Sequence, residues 1–149
     1  MGDELAGIEE DVPFNFAGAT ELERELRATA GTLDSQMPQR NTYASDARDE
    51  WRGVYSQQFV ARMRICTNDA NRLSEAMKLA ANQVKELAER AQREQERREE
   101  ARAWKERQEN ESNWNKLGDA IFGEDDKPDI PAPEPPPRFV VEASATGRE

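Results

Sequence analysis

Histidine is absent from this chain and cysteine occurs once, at Cys66. The first absence removes the commonest general base, the Ser-His-Asp and Cys-His arrangements, and every zinc site with an imidazole ligand. The second excludes an intramolecular disulfide. Gly53 and Gly118 stand alone, so there is no glycine-rich loop to cradle a phosphate. No stretch approaches the roughly 18 consecutive apolar residues of a membrane span, and the acidic start, Met1-Gly2-Asp3-Glu4, lacks the apolar core of a secretory signal. The expectation is a soluble chain without membrane insertion. Met1-Gly2 resembles the start of a myristoylation site, but Ala6 stands where serine or threonine is needed.

Carboxylates are plentiful, yet they fall at ion-pairing intervals on helical surfaces or in tails, and Glu124-Asp125-Asp126 does not have the spacing of a calcium loop. No catalytic constellation emerges, so the chain is expected to act by binding rather than catalysis, with no cofactor and no metal.

What the sequence does have is charge. Charged residues make up 35% of it and hydrophobic ones 36%, with a mean hydropathy of -1.02, which is too polar for a compact globule of one domain's length and fits elongated helices with disordered flanks. The net charge of -10 sits at the ends. Residues 1–18 carry five acids and no base, and residues 110–149 carry nine acids against four bases. Between them 17 acids meet 17 bases, so nucleic acid and an anionic membrane are not the expected partners.

Residues 1–18 therefore read as a flexible acidic leader, with Phe14 and Phe16 following the breaker Pro13. A helical hairpin is predicted over 19–109. Thr20 and Glu23 have the spacing of a capping box, and Leu22, Leu26, Thr29 or Ala30, Leu33 and Met37 then recur on one helical face. Pro38 predicts a kink or short break. The phase resumes through Ala44 and Ala47 to Trp51, and Gly53 supplies the freedom for a reversal at 51–53.

The second arm carries the strongest pattern. Phe59, Met63, Cys66, Ala70, Leu73, Met77, Ala80, Val84, Leu87 and Ala91 follow alternating steps of four and three, a heptad seam roughly 48 Å long at about 1.5 Å per residue. Cys66, within it, is expected to be a small buried hydrophobe. After Ala91 the helix is expected to run on as a charged, solvated extension, supported by Glu-first pairs such as Glu94 with Arg98. Residues 110–123, with Trp114, Leu117, Ile121 and Phe122, read as a short amphipathic segment. Residues 124–149 read as a disordered acidic and Pro-rich tail, with residues 130–137 suited to polyproline II.

The fold class is thus all-α: an antiparallel helix-turn-helix hairpin with a long second helix. Two helices alone bury their apolar faces poorly, so the seam predicts dimerisation into a four-helix bundle. The expected partner interface comprises Phe59, Met63, Ala70, Leu73, Met77, Ala80, Val84 and Leu87.

Trp51-Arg52-Gly53 between two helical arms, with Phe14-Asn15-Phe16 before it and Tyr55 and Phe59 after it, resembles the WXG family of about-100-residue proteins, the early-secreted-antigen type found with type VII secretion, and in particular its actinobacterial members. The resemblance covers about residues 14–104. It implies a turn motif at Trp51 and Gly53 and a homodimer, or a heterodimer with a related hairpin or a larger effector. It also implies handling by a secretion ATPase and a cytoplasmic location, or export by a signal-peptide-independent type VII route. The family's Tyr-x-x-x-Asp/Glu after the second helix has no counterpart here, since no tyrosine follows Tyr55; Phe122 and Asp126 alone have that spacing. That departure points to a partner carrying the export signal, or to a cytosolic escort. The alternative is a cytosolic coiled-coil scaffold or adaptor that recruits partners through Pro131 to Pro137.

Overall fold

The computed structural model describes residue 5, residues 7–115, residues 130–135 and residue 137. It contains two helices, α1 (Phe16–Asp49) and α2 (Val54–Asn115), and no strand among the described residues. The chain divides into two compact units: Asn15–Glu86 form one, and Met1–Phe14 with Leu87–Glu149 form the other. α2 contributes residues 54–86 to the first and residues 87–115 to the second.

The first unit is the antiparallel hairpin that the periodicity predicts. α1 starts earlier than the Thr20–Glu23 capping box implies. Its cap is Asn15, whose Oδ1 accepts the Gly18 N–H at 2.9 Å. Thr20 lies inside the first turns and donates its hydroxyl to the Phe16 carbonyl at 3.0 Å. Asparagine is among the best cap residues, and it stands right after Pro13 and Phe14, so the helix nucleates there instead.

Pro38 lies inside α1, which continues through it without the expected short break. The helix is held to α2 on both sides of it. The Lys78 ammonium lies 2.8 Å from the Asp34 carboxylate, Met37 is buried, and the Thr67 hydroxyl meets the Asn41 amide oxygen at 3.1 Å. This packing offsets the roughly 3 kcal/mol that a mid-helix proline costs.

α1 ends at a turn of four residues. The Trp51 N–H donates to the Arg48 carbonyl at 2.9 Å, and the Arg52 guanidinium donates to the Asp49 carbonyl at 2.8 Å, satisfying acceptors left open at the helix end. Gly53 has φ +100 and takes the left-handed conformation the reversal demands. The Gly53 carbonyl then accepts the Gln57 N–H as α2 begins.

The second unit gathers three segments that the sequence leaves separate. Residues 8–12 are not a loose leader: they lie against residues 95–105 of α2, where Ile130 joins them, while Glu134 meets Arg93 further back on the helix. Ile8, Ala101 and Ile130 form a small buried cluster, with Trp104 packed on its side. The charged extension runs on as helix with most of its positions exposed, as expected, but one stripe of it is covered. Arg97, only 6% exposed, is paired with Glu94 at 2.8 Å, and Glu94 also holds Arg98 at 2.9 Å. The amphipathic residues Trp114, Leu117, Ile121 and Phe122, the acids Glu124 to Asp126 and Phe139-Val140-Val141 fall outside the residues whose side chains are described.

Candidate protein-interaction site

Within the hairpin, α1 does not sit on the predicted seam but on a line turned about one residue onward. The buried positions of α2 are Ser56, Ser74 and Ala81, flanked by the half-buried Val60, Met63, Thr67, Ala70, Met77 and Val84. Facing them on α1 are buried Ala30 and Met37, with Leu26, Leu33 and Ala44 half-buried. Small residues at the deepest positions let the two backbones approach closely, since interaxial distance follows the side chains at the contact. The Ser74 hydroxyl then reaches the Ala30 carbonyl at 3.5 Å.

The seam residues are therefore divided. Met63, Ala70, Met77 and Val84 belong to both lines and are half-buried. Cys66 is exposed rather than buried, and Leu73 remains 51% exposed. The reason is that serine and threonine at 56, 67 and 74 take the α1-facing positions and leave the apolar line beside them uncovered. Phe59 and Ala80 are partly covered. Leu87 lies in the other unit, where it lines a cleft with Val12, Phe14 and Pro131.

Polar pairs pin one flank of the hairpin. Lys78 meets Asp34 at 2.8 Å, the Arg27 guanidinium donates to Asn82 at 2.9 Å, and Thr67 donates to Asn41 at 3.1 Å. The Asp34 carboxyl is held below its ordinary range by hydrogen bonds from Lys78 and Ser74, and Lys78 is raised by the same contact with Asp34. Helical spacing puts Cys66, Leu73 and Ala80 of α2, and Leu22, Leu26 and Leu33 of α1, on the opposite flank. Leu22 is half exposed there. One flank of the hairpin is thus polar and paired within the chain, and the other is an apolar strip, half-buried at Leu26, Leu33 and Ala80 and open at Leu22, Cys66 and Leu73. Towards the turn, an open cleft of ≈ 300 Å³ has Ala44, Phe59, Val60 and Met63 in its lining.

At the turn itself, the Trp51 ring lies 5.5 Å from that of Phe59 at a tilt of 51°. The indole, 44% exposed, packs on Phe59 on one side and meets solvent on the other.

Among the described residues no group of three or more histidine, cysteine or acidic side chains could hold a metal ion, and no helix is long and apolar enough to cross a membrane. No protein-family model, curated protein or solved structure matches this chain.

Proposed function

We propose that the chain works by protein–protein pairing rather than catalysis, as a WXG-like helical hairpin associated with type VII secretion: a secreted substrate or co-substrate, or the escort of a larger effector. The observation that carries the pairing is the apolar flank of exposed Cys66 and half-exposed Leu73, left open once α1 has packed on the adjacent line. A second hairpin laid on that flank completes a four-helix bundle in which Leu22, Leu26, Leu33 and Leu73 become core. The Trp51-Arg52-Gly53 turn supports the secretion assignment through its resemblance to the WXG family, and it leaves a half-exposed indole at the bundle's end for a further contact, a secretion ATPase included.

Pull-down with mass spectrometry from the native cell and its culture supernatant is the decisive experiment. A second hairpin protein or a large effector recovered with the chain, and lost with Leu73→Asp, is the expected result. A Leu73→Asp protein that assembles unchanged, or a wild-type chain that stays monomeric with such partners present, overturns the reading. Pro131 to Pro135 are exposed, which keeps an adaptor role as the second reading. Loss of partner capture on deleting residues 123–149 favours the adaptor, and retained capture favours the hairpin.

A further inference from the structure

On α2, residues 95, 98, 102 and 105 follow steps of three, four and three, so they line one helical stripe. All four touch the acidic leader, which runs antiparallel to the helix. The Lys105 ammonium lies 2.7 Å from the Glu9 carboxylate and the Arg102 guanidinium 2.6 Å from Asp11. Two other contacts hold the leader's main chain: Arg98 donates to the Glu10 carbonyl at 2.9 Å, and Gln95 accepts the Val12 N–H at 2.8 Å. The Gln95 amide N–H also donates to Asp11 at 2.9 Å. Just before the acids Ile8, 1% exposed, is buried with Ala101 and Ile130, and Trp104 packs against them.

These are the elements of a peptide-binding groove: donors and an acceptor that fix a backbone, cations at carboxylate spacing, and an apolar pocket for one anchor. Its occupant is held by contacts that are cheap to break. Glu9 and Asp11 are largely exposed, and solvent screens exposed ion pairs so that each holds only weakly. Only Ile8 is fully buried. Gly7, at φ +70, and Pro13 flank the docked stretch, and a tight turn closes at Pro13 where the Phe14 N–H donates to the Val12 carbonyl at 2.8 Å.

We propose that this stripe of α2 is a receptor for an extended acidic peptide of a partner protein, one with an aliphatic residue directly before its first carboxylate, and that residues 8–12 are a built-in occupant that such a peptide displaces. The charge of the groove selects the ligand: Arg98, Arg102 and Lys105 face a segment with acids at 9, 10 and 11 and no base. The proposal stands whether or not the hairpin serves in secretion, because none of the residues involved lies in the hairpin unit.

A fluorescein-labelled peptide of residues 5–14, titrated with the full-length chain and read by anisotropy, tests it. In wild type the tethered leader competes at an effective concentration on the order of millimolar. A full-length variant whose leader is repelled, Ile8→Asp with Glu9→Lys and Asp11→Lys, is expected to bind the peptide at least about 10-fold more tightly than wild type does. Adding Arg102→Glu to that variant is expected to weaken binding, and a peptide with Asp11→Lys to restore it. Equal binding by wild type and the leader variant overturns the proposal, as does equal binding of a scrambled peptide of the same composition. So does absence of binding by a variant whose circular dichroism shows intact helix. If the triple variant loses helix, the same titration on Asp11→Lys alone decides, with the same two outcomes.

Discussion

Ser74 and Ala30 meet at the buried centre of the hairpin: both are essentially inaccessible, and the Ser74 hydroxyl lies 3.5 Å from the Ala30 carbonyl. Neither position has room for a larger side chain. Ser74→Leu puts a large apolar residue on the line that faces α1 but must force the helices apart, and overpacking of this kind costs about 1–3 kcal/mol. A thermal melt followed by circular dichroism at 222 nm is expected to show a lowered midpoint for Ser74→Leu and a nearly unchanged one for Leu73→Ala, one position away but half exposed.

Cys66 reports on the apolar flank directly. Its thiol is exposed in the single chain, so a maleimide or disulfide reagent should label it at the rate of an unhindered cysteine. Addition of the pairing partner should slow labelling by an order of magnitude or more. An unchanged rate in a verified complex would place the interface on another face.

Gly53 has φ +100, and an added Cβ would meet no atom within 4 Å. The cost of Gly53→Ala is therefore backbone strain alone, about 1–2 kcal/mol. Gly53→Asn should recover part of it, since asparagine tolerates left-handed backbone better. Chemical denaturation of the two variants side by side measures the difference.

Acid should loosen the unit built on the second part of α2. Hydrogen bonds from Arg97, with Arg98 assisting, hold the Glu94 carboxyl down to about 2. A carboxylate whose folded pKa is depressed contributes stability that is complete above its unfolded value near 4.5 and is lost as pH falls toward 2. Glu9, Asp11 and Glu134 are lowered in the same direction by Lys105, by Gln95 and Arg102, and by Arg93. The protection factors of residues 95–105 against hydrogen exchange, which take out the pH dependence of the intrinsic rate, are expected to fall between about pH 4.5 and 2, and Glu94→Gln should remove the share of that fall due to Glu94.

The hairpin was legible because two kinds of signal agreed: apolar residues at helical spacing in both arms, and glycine directly after Trp51-Arg52 at the reversal. The seam's exact line was not. Ser56, Thr67 and Ser74 are polar on any hydropathy scale, yet in a close helix pair their small volume counts for more, and the larger Leu73 is left outside. The continuity of α1 through Pro38 is not legible, because the local penalty of proline is visible in sequence whereas the contacts of Asp34, Met37 and Asn41 that offset it are not. The docking of the leader was missed for a related reason. Ion pairs such as Asp11–Arg102 carry no periodic signature, although one hint was available: a run of acids without a base, and Arg98 and Lys105 falling on the heptad steps after Ala91, with Arg102 beside them.

The separation of those partners along the chain fixes an order of assembly. Contacts that close the hairpin join residues 26 to 55 apart in sequence, while those that seat the leader join residues 83 to 96 apart. During synthesis both arms of the hairpin can meet while the distal part of α2 is still unmade, whereas Glu9 has no lysine to find until residue 105 has emerged. Residues 8–12, made before either helix, are thus among the last to reach their place. Through that interval Ile8 and the three acids after it are open to whatever else in the cell presents a basic, shallowly apolar surface.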